Sequence, residues 1–177
     1  MVYDYLVTQN REAFLARVVE ISAKLGISPD WLMVIMKMES SLNPAASNSF
    51  TGATGLIQFM PATAAGLGTS TTALKAMTNV EQLEYVYKYF QPYAGRLTSV
   101  ADLYTVTFFP RALGKSDDYI LQTDTITAAR IAGQNPAYDI NKDLQITAGE
   151  LRDSISARIP SGMQISIDKA ADYLKKK

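Results

Sequence analysis

The segment Trp31-Leu32-Met33-Val34-Ile35-Met36-Lys37-Met38 constrains this chain more than any other stretch. At helical spacing it is apolar almost all round, so it has no face to offer water and must lie inside a core built around it. Ser28-Pro29 ahead of it reads as a helix start, with serine as the cap and proline in the first turn. The uninterrupted apolar run, Trp31 to Met36, is far too short to cross a bilayer, so the segment is a core helix and no membrane insertion is expected.

Helical signals fill most of the remaining chain. Asn10 is placed to cap a helix with the stripe Phe14, Val18, Ile21 and Leu25, ended by Gly26. Thr78-x-x-Glu81 and Thr147-x-x-Glu150 are capping boxes. The first leads Leu83, Val86 and Phe90 towards Pro92, the second Leu151, Ile155 and Ile159 towards Pro160. Ser99 with Asp102 opens a helix running through Leu103 and Val106 to Pro110, and a last one is expected through Ile167, Ala171 and Leu174. No alternating strands compete, no linker divides the chain and no repeat recurs. The expectation is one all-α domain over residues 1–177, with 47% hydrophobic residues, enough for a full core.

Two absences narrow the chemistry. With no histidine and no cysteine, imidazole bases, thiol nucleophiles, disulfides and His- or Cys-ligated metals are all excluded. Catalysis, if present, rests on carboxylates, hydroxyls, amides, lysine or an oxygen-ligated metal. Seventeen basic and seventeen acidic side chains balance, which argues against a nucleic-acid partner. Residues Met1 to Phe14 lack the pattern of a signal peptide.

Glu39 falls on the stripe Leu32, Ile35, Met36 at the end of the core helix. Burial and the negative end of the helix dipole both raise a carboxyl pKa, as a general acid near neutrality requires. The bland alternative is a glutamate at a helix end pointing to water. From Ser40 to Val80 there is no Asp or Glu, and Lys75 is the only charge. That stretch reads either as uncharged loop or as a neutral polar groove for hydroxyl and amide ligands such as sugars.

The text around Glu39 is more specific. Glu39-Ser40-Ser41-Leu42-Asn43-Pro44 is followed by Gly52-Ala53-Thr54-Gly55-Leu56-Ile57-Gln58-Phe59-Met60-Pro61-Ala62-Thr63-Ala64. This resembles the soluble lytic transglycosylase family, with its E-S-x-x-N-P motif and the closely following G-x-x-G-L-x-Q-x-M-P-x-T-A. The resemblance covers residues 31 to about 66. It implies a goose-lysozyme-like α-helical fold that cleaves peptidoglycan glycan strands between N-acetylmuramic acid and N-acetylglucosamine, with no cofactor for catalysis. Carried over, Glu39 matches the catalytic acid/base, and Gln58 and Met60 match groove residues that contact sugars. Ser49 matches the serine placed near the acid, with Ser47 in its stead after a small register slip. Gly52 and Gly55 read as turn glycines.

One departure stands out. The family's later A-Y-N motif, whose tyrosine contacts the acid, is missing; Ala101 to Pro110 occupies about that place and resembles variants in phage-encoded members. Tyr104 is the candidate replacement, with a core tyrosine as the alternative, while Tyr85, Tyr87, Tyr89 and Tyr93 offer further faces for sugars. Membership of that kind implies a phage lysis enzyme or virion component acting on the host wall, with other virion proteins as further partners; the alternative is a bacterial wall enzyme shown without its leader.

Residues Asp139 to Glu150 follow the EF-hand template. Asp139, Asn141, Asp143, Thr147 and Glu150 supply side-chain oxygens at positions 1, 3, 5, 9 and 12, Gln145 a backbone carbonyl, and Ile146 the apolar eighth position. Leu144 stands where the template has glycine, and Pro136 limits an entering helix. The expectation is a structural Ca²⁺ in an EF-hand-like loop; the alternative is an Asp/Asn turn followed by a capped helix.

Three functions follow from these readings: a lytic transglycosylase with one catalytic glutamate, a goose-type lysozyme using water, and a non-catalytic calcium-stabilised wall-binding or virion module. Asp30 is nine residues before Glu39 on the same helix, roughly 13 Å away at the helical rise, and no acid follows until Glu81. A second carboxylate would have to come from a distant segment such as Asp102, Asp117 or Asp118; with Glu39 alone, the first is favoured.

Overall fold

A computed structural model of the chain describes residues 1–159 and 161, and they are mostly helical, with three isolated bridges as their only β pairing. The expected core helix is α2, Pro29–Ser40. Ser28 caps it by accepting from the Asp30 amide at 3.3 Å, and Trp31 to Met36 are all buried. Its neighbour α1, Arg11–Leu25, buries Phe14, Val18, Ile21 and Leu25 and packs against both α2 and α5, Asn79–Phe90. Gly26 ends α1 in a left-handed conformation (φ 71°) that a side chain rarely adopts.

Asn10 is not the cap the sequence suggests. It is itself left-handed (φ 49°) and makes no side-chain cap bond; its Nδ2 donates to Asn79 Oδ1 at 3.1 Å. The start of α5 therefore takes up the asparagine that would otherwise have served α1. The stretch without acids also holds more structure than a loop, with α3 at Pro61–Gly66 and α4 at Thr71–Ala76.

The chain forms two compact units. Among the described residues the first is 1–100, holding α1 to α5, and the second runs from Ala101 to residue 161. The second contains nearly all of α6, Val100–Phe108, together with α7, Ala128–Gln134, and α8, Ala148–Arg158. Leu103, Val106, Ile131, Ile146, Leu151 and Ile155 are buried in it. The helix expected through Ile167, Ala171 and Leu174 lies outside the described residues.

Candidate active site

Glu39 is the penultimate residue of α2, half-buried directly after the fully buried Ile35 and Met36 turn. The chain leaves the helix through two successive left-handed residues that are not glycine, Ser41 (φ 54°) and Leu42 (φ 64°). Their amides return to the Lys37 and Met36 carbonyls at 3.0 and 3.1 Å, the first closing the helix as an αL cap and the second reaching one residue further back. Each such residue costs about 1–2 kcal/mol, so the surrounding packing holds the helix end in place against strain.

The second motif folds into a tight loop against that end. Thr54 and Phe59 exchange both backbone hydrogen bonds, at 3.0 and 2.9 Å. Within the loop Gly55 (φ 90°) and Gln58 (φ 51°) are left-handed. Gln58 Nε2 donates to the carbonyls of Gly55 at 3.1 Å and Ala46 at 3.3 Å, which offsets the strain of its own backbone and fixes its side chain. The two motifs meet at Ser40, whose buried Oγ lies 3.0 Å from the Met36 carbonyl and 3.0 Å from the Leu56 carbonyl. The residue next to the acid thus tethers the loop that carries Gln58, a role its place in the E-S dipeptide does not reveal.

Other expected residues separate. Ser47 pairs its Oγ with Thr54 Oγ1 at 3.1 Å, inside the folded loop. Ser49 is exposed, in a turn whose Asn48 Oδ1 accepts from the Phe50 and Thr51 amides. Met60 precedes α3 with 46% of its surface exposed, and Phe50 at the loop tip is 98% exposed.

Of the tyrosines on and beside α5, Tyr89 lies close enough to Glu39 to be affected by its charge. Burial first, then Tyr93 and Glu39, hold its phenol well above the usual value, so it stays protonated. Its ring meets Phe59 edge-on at 6.2 Å and Phe90 at 5.1 Å. The sequence set Tyr89 among four tyrosines without choosing; its position on α5 opposite Phe59 is a tertiary fact. Tyr104 is buried on α6 in the second unit, its ring stacked with Phe108 at 6.2 Å and its hydroxyl bonded to that of Tyr138.

The first acids met along the chain on either side of Glu39 are occupied. Asp30 Oδ1 accepts from the Val2 amide at 2.8 Å, and Glu81 Oε2 accepts from the Thr78 amide and hydroxyl at 2.7 and 2.8 Å in the capping box. Glu84 pairs with Arg17. Of the more distant acids, Asp117 pairs with Arg152.

The expected metal ligands occupy a loop closed on itself. Asp139 accepts from the Asp143 and Leu144 amides, each at 3.1 Å, and Asp143 Oδ1 accepts from the Gln145 amide at 2.9 Å. Asn141 Oδ1 accepts from the Asp143 amide at 3.0 Å. Glu150 caps α8 through Oε2 and accepts from the Ile140 and Asn141 amides through Oε1. Among the described residues no three acids are gathered as a metal would need. The EF-hand form is therefore not supported as expected: α7 stops at Gln134, short of Asp139, and the loop oxygens are satisfied by the loop's own amides. Leu144 does take the left-handed conformation (φ 65°) that the template's glycine supplies.

Residues 18–97 match the family model of the transglycosylase SLT domain. The match spans just under half of the chain and lies within the first unit, with Glu39, Gln58 and Tyr89 inside it. No curated protein and no solved structure matches the chain.

Proposed function

We propose, from the premise that residues 18–97 form a transglycosylase SLT domain, that the protein is a lytic transglycosylase of peptidoglycan with Glu39 as its single acid and base. The observation that carries this reading is the place of Glu39, at the end of a buried helix where the next residue, Ser40, tethers the loop carrying Gln58. Glu39 lies beside Tyr89, while Asp30 and Glu81 are committed to other partners. A paired mechanism needs a second carboxyl about 5–5.5 Å away to retain configuration, or about 6.5–9.5 Å away to invert it. A single carboxyl suffices when the nucleophile is already part of the bound sugar.

In the proposed reaction the Glu39 carboxyl protonates the glycosidic oxygen between N-acetylmuramic acid and N-acetylglucosamine, and the bond from C1 to that oxygen breaks. The resulting carboxylate takes the proton of the muramic C6 hydroxyl, whose oxygen forms the new bond to C1. The acid is regenerated and the product is 1,6-anhydro-N-acetylmuramic acid. Holding an internal hydroxyl in place replaces the water that a second carboxylate would activate. Gln58, fixed through Nε2, and the exposed Met60 are the proposed sugar contacts.

Digestion of purified sacculi, borohydride treatment and mass spectrometry of the fragments test this. Anhydro ends take up no hydride, and fragments resistant to reduction are expected. Fragments that are all reduced would make the protein a lysozyme instead.

For the loop of the second unit we propose a structural Ca²⁺. Hard oxygens at Asp139, Asn141, Asp143 and Glu150, the Gln145 carbonyl and the left-handed turn at Leu144 support it. Binding requires the carboxylates to exchange amide partners for the cation.

A further inference from the structure

Gln82, on α5, is wholly buried and joins three separate segments of the first unit. Its Oε1 accepts from the Leu56 amide at 2.9 Å, and its Nε2 donates to the carbonyls of Pro44 at 2.6 Å and Leu74 at 2.7 Å. The partners fix the orientation of the amide: one N–H needs an acceptor and two carbonyls need donors, so a flipped amide would set like against like three times. Pro44 ends the segment that leaves Glu39, and Leu56 belongs to the loop that carries Gln58. Gly55 completes the contact, because a Cβ there would sit 2.6 Å from Gln82 Oε1. Glycine at that place is required by the glutamine as well as by the backbone angle.

The Leu56 residue is thereby held twice. Its carbonyl is bound by Ser40 from α2, and its amide by Gln82 from α5. An apolar side chain of similar volume would fill the same space without a polar group to desolvate, and filling alone does not call for an amide with three partners. We propose that Gln82 is a positioning residue for the reaction: it locks the Gln58 loop in register with the segment leaving Glu39, so that sugar contacts and acid stay at a fixed separation. This rests on the functional reading above and extends it to a residue that touches no substrate.

Gln82→Glu keeps the size and the acceptor for Leu56 but, as a carboxylate, has no proton to donate. Its protonated form regains one O–H for one of the two carbonyls. On soluble glycan oligomers, well below the variant's melting temperature, kcat at neutral pH is expected to fall at least about tenfold with KM changed less than about threefold. Relative to wild type at the same pH, the variant recovers as the pH falls. Gly55→Ala presses on the same contact from the other side. It is expected to lower kcat in the wild-type background and to cost much less in a Gln82→Ala background, a coupling that independent destabilisation would not produce. Amide exchange at Leu56 reads the contact without activity: protection is expected to be lost in Gln82→Ala while the α5 amides around Val86 keep theirs.

A Gln82→Glu kcat within about threefold of wild type from pH about 5 to 8 would overturn the proposal. Additive losses in the Gly55 and Gln82 cycle would do the same, and so would Leu56 protection that survives in Gln82→Ala. Wild-type protein that releases nothing from sacculi would overturn the functional reading, and with it any part for Gln82 in a reaction; Leu56 exchange would still decide whether the contact exists.

Discussion

At the scale of single residues, three of the seven left-handed residues other than glycine among the described ones lie around Glu39. Ser41, Leu42 and Gln58 hold left-handed backbones without being glycine, and they flank Glu39 on one side and form the loop tethered to Ser40 on the other. Left-handed turns of this kind persist when neighbours over-determine them, and here the neighbours are Ser40, Phe59 and the Gln58 amide itself. Glu39→Gln removes the proton donor and keeps the shape. Clearance of sacculi is expected to drop to background while the melting temperature holds. Tyr89→Phe is the contrast: it removes a phenol that stays neutral beside the acid, so activity should fall by about tenfold, near 1.4 kcal/mol, with no new product. Turbidity assays on both variants, read with their melting curves, check the pair. Substantial lysis by folded Glu39→Gln would remove Glu39 from the chemistry.

Helices are where the sequence is most readable, because their ends are signalled locally. Ser28, Thr78 and Thr147 cap the helices they precede, with both capping boxes formed. Asn10 shows the limit: an asparagine suits a cap or a left-handed turn equally, and the partner that decides, Asn79, is far away along the chain. The short helices α3 and α4 are missed for a related reason, since six residues carry too little periodicity to show. The site divides in the same way. Glu39 and Gln58 are legible as text, whereas Tyr89 and the Ser40 tether depend on which elements face each other. Element packing also predicts a pH effect. Arg17 of α1 pairs with Glu84 of α5, and Arg17 and Lys24 flank Glu20. The hydrogen bond from Arg17 foremost, with that from Lys24, holds the Glu20 carboxyl down at about 2, against an ordinary 4.5. A lowered carboxyl pKa contributes stability above its unfolded value and loses it as pH falls towards the folded one. Melting temperature should therefore decline between pH 4.5 and about 2 partly through Glu20, and less steeply in Glu20→Gln. Because Glu20 is exposed, added salt should shrink the difference. Equal acid slopes for the two proteins at low salt would exclude this contribution.

The molecule as a whole has two compact units, with Glu39, Gln58 and Tyr89 in the first and the acidic loop in the second. A ligand for the loop that binds only folded protein stabilises it by RT ln(1 + [L]/Kd), about 2.7 kcal/mol at about one hundred times Kd. The expected outcome is a higher melting temperature in millimolar Ca²⁺ than in EDTA. Glu150 is a poor probe of that effect, because it also caps α8 and accepts from Ile140 and Asn141; its removal lowers stability with or without the ion. Asp139 separates the two roles. Asp139→Asn keeps one oxygen to accept from the Asp143 or Leu144 amide but loses the charge a divalent cation needs. In EDTA the variant should melt below wild type, by about 1–3 kcal/mol for the backbone amide left facing an NH2 group, and should gain little further from calcium. Calorimetry of both proteins in EDTA and in Ca²⁺ decides the matter. Superimposable wild-type curves in the two buffers would leave the loop as what its present hydrogen bonds already make it, a chain of Asp and Asn turns leading into a capped helix.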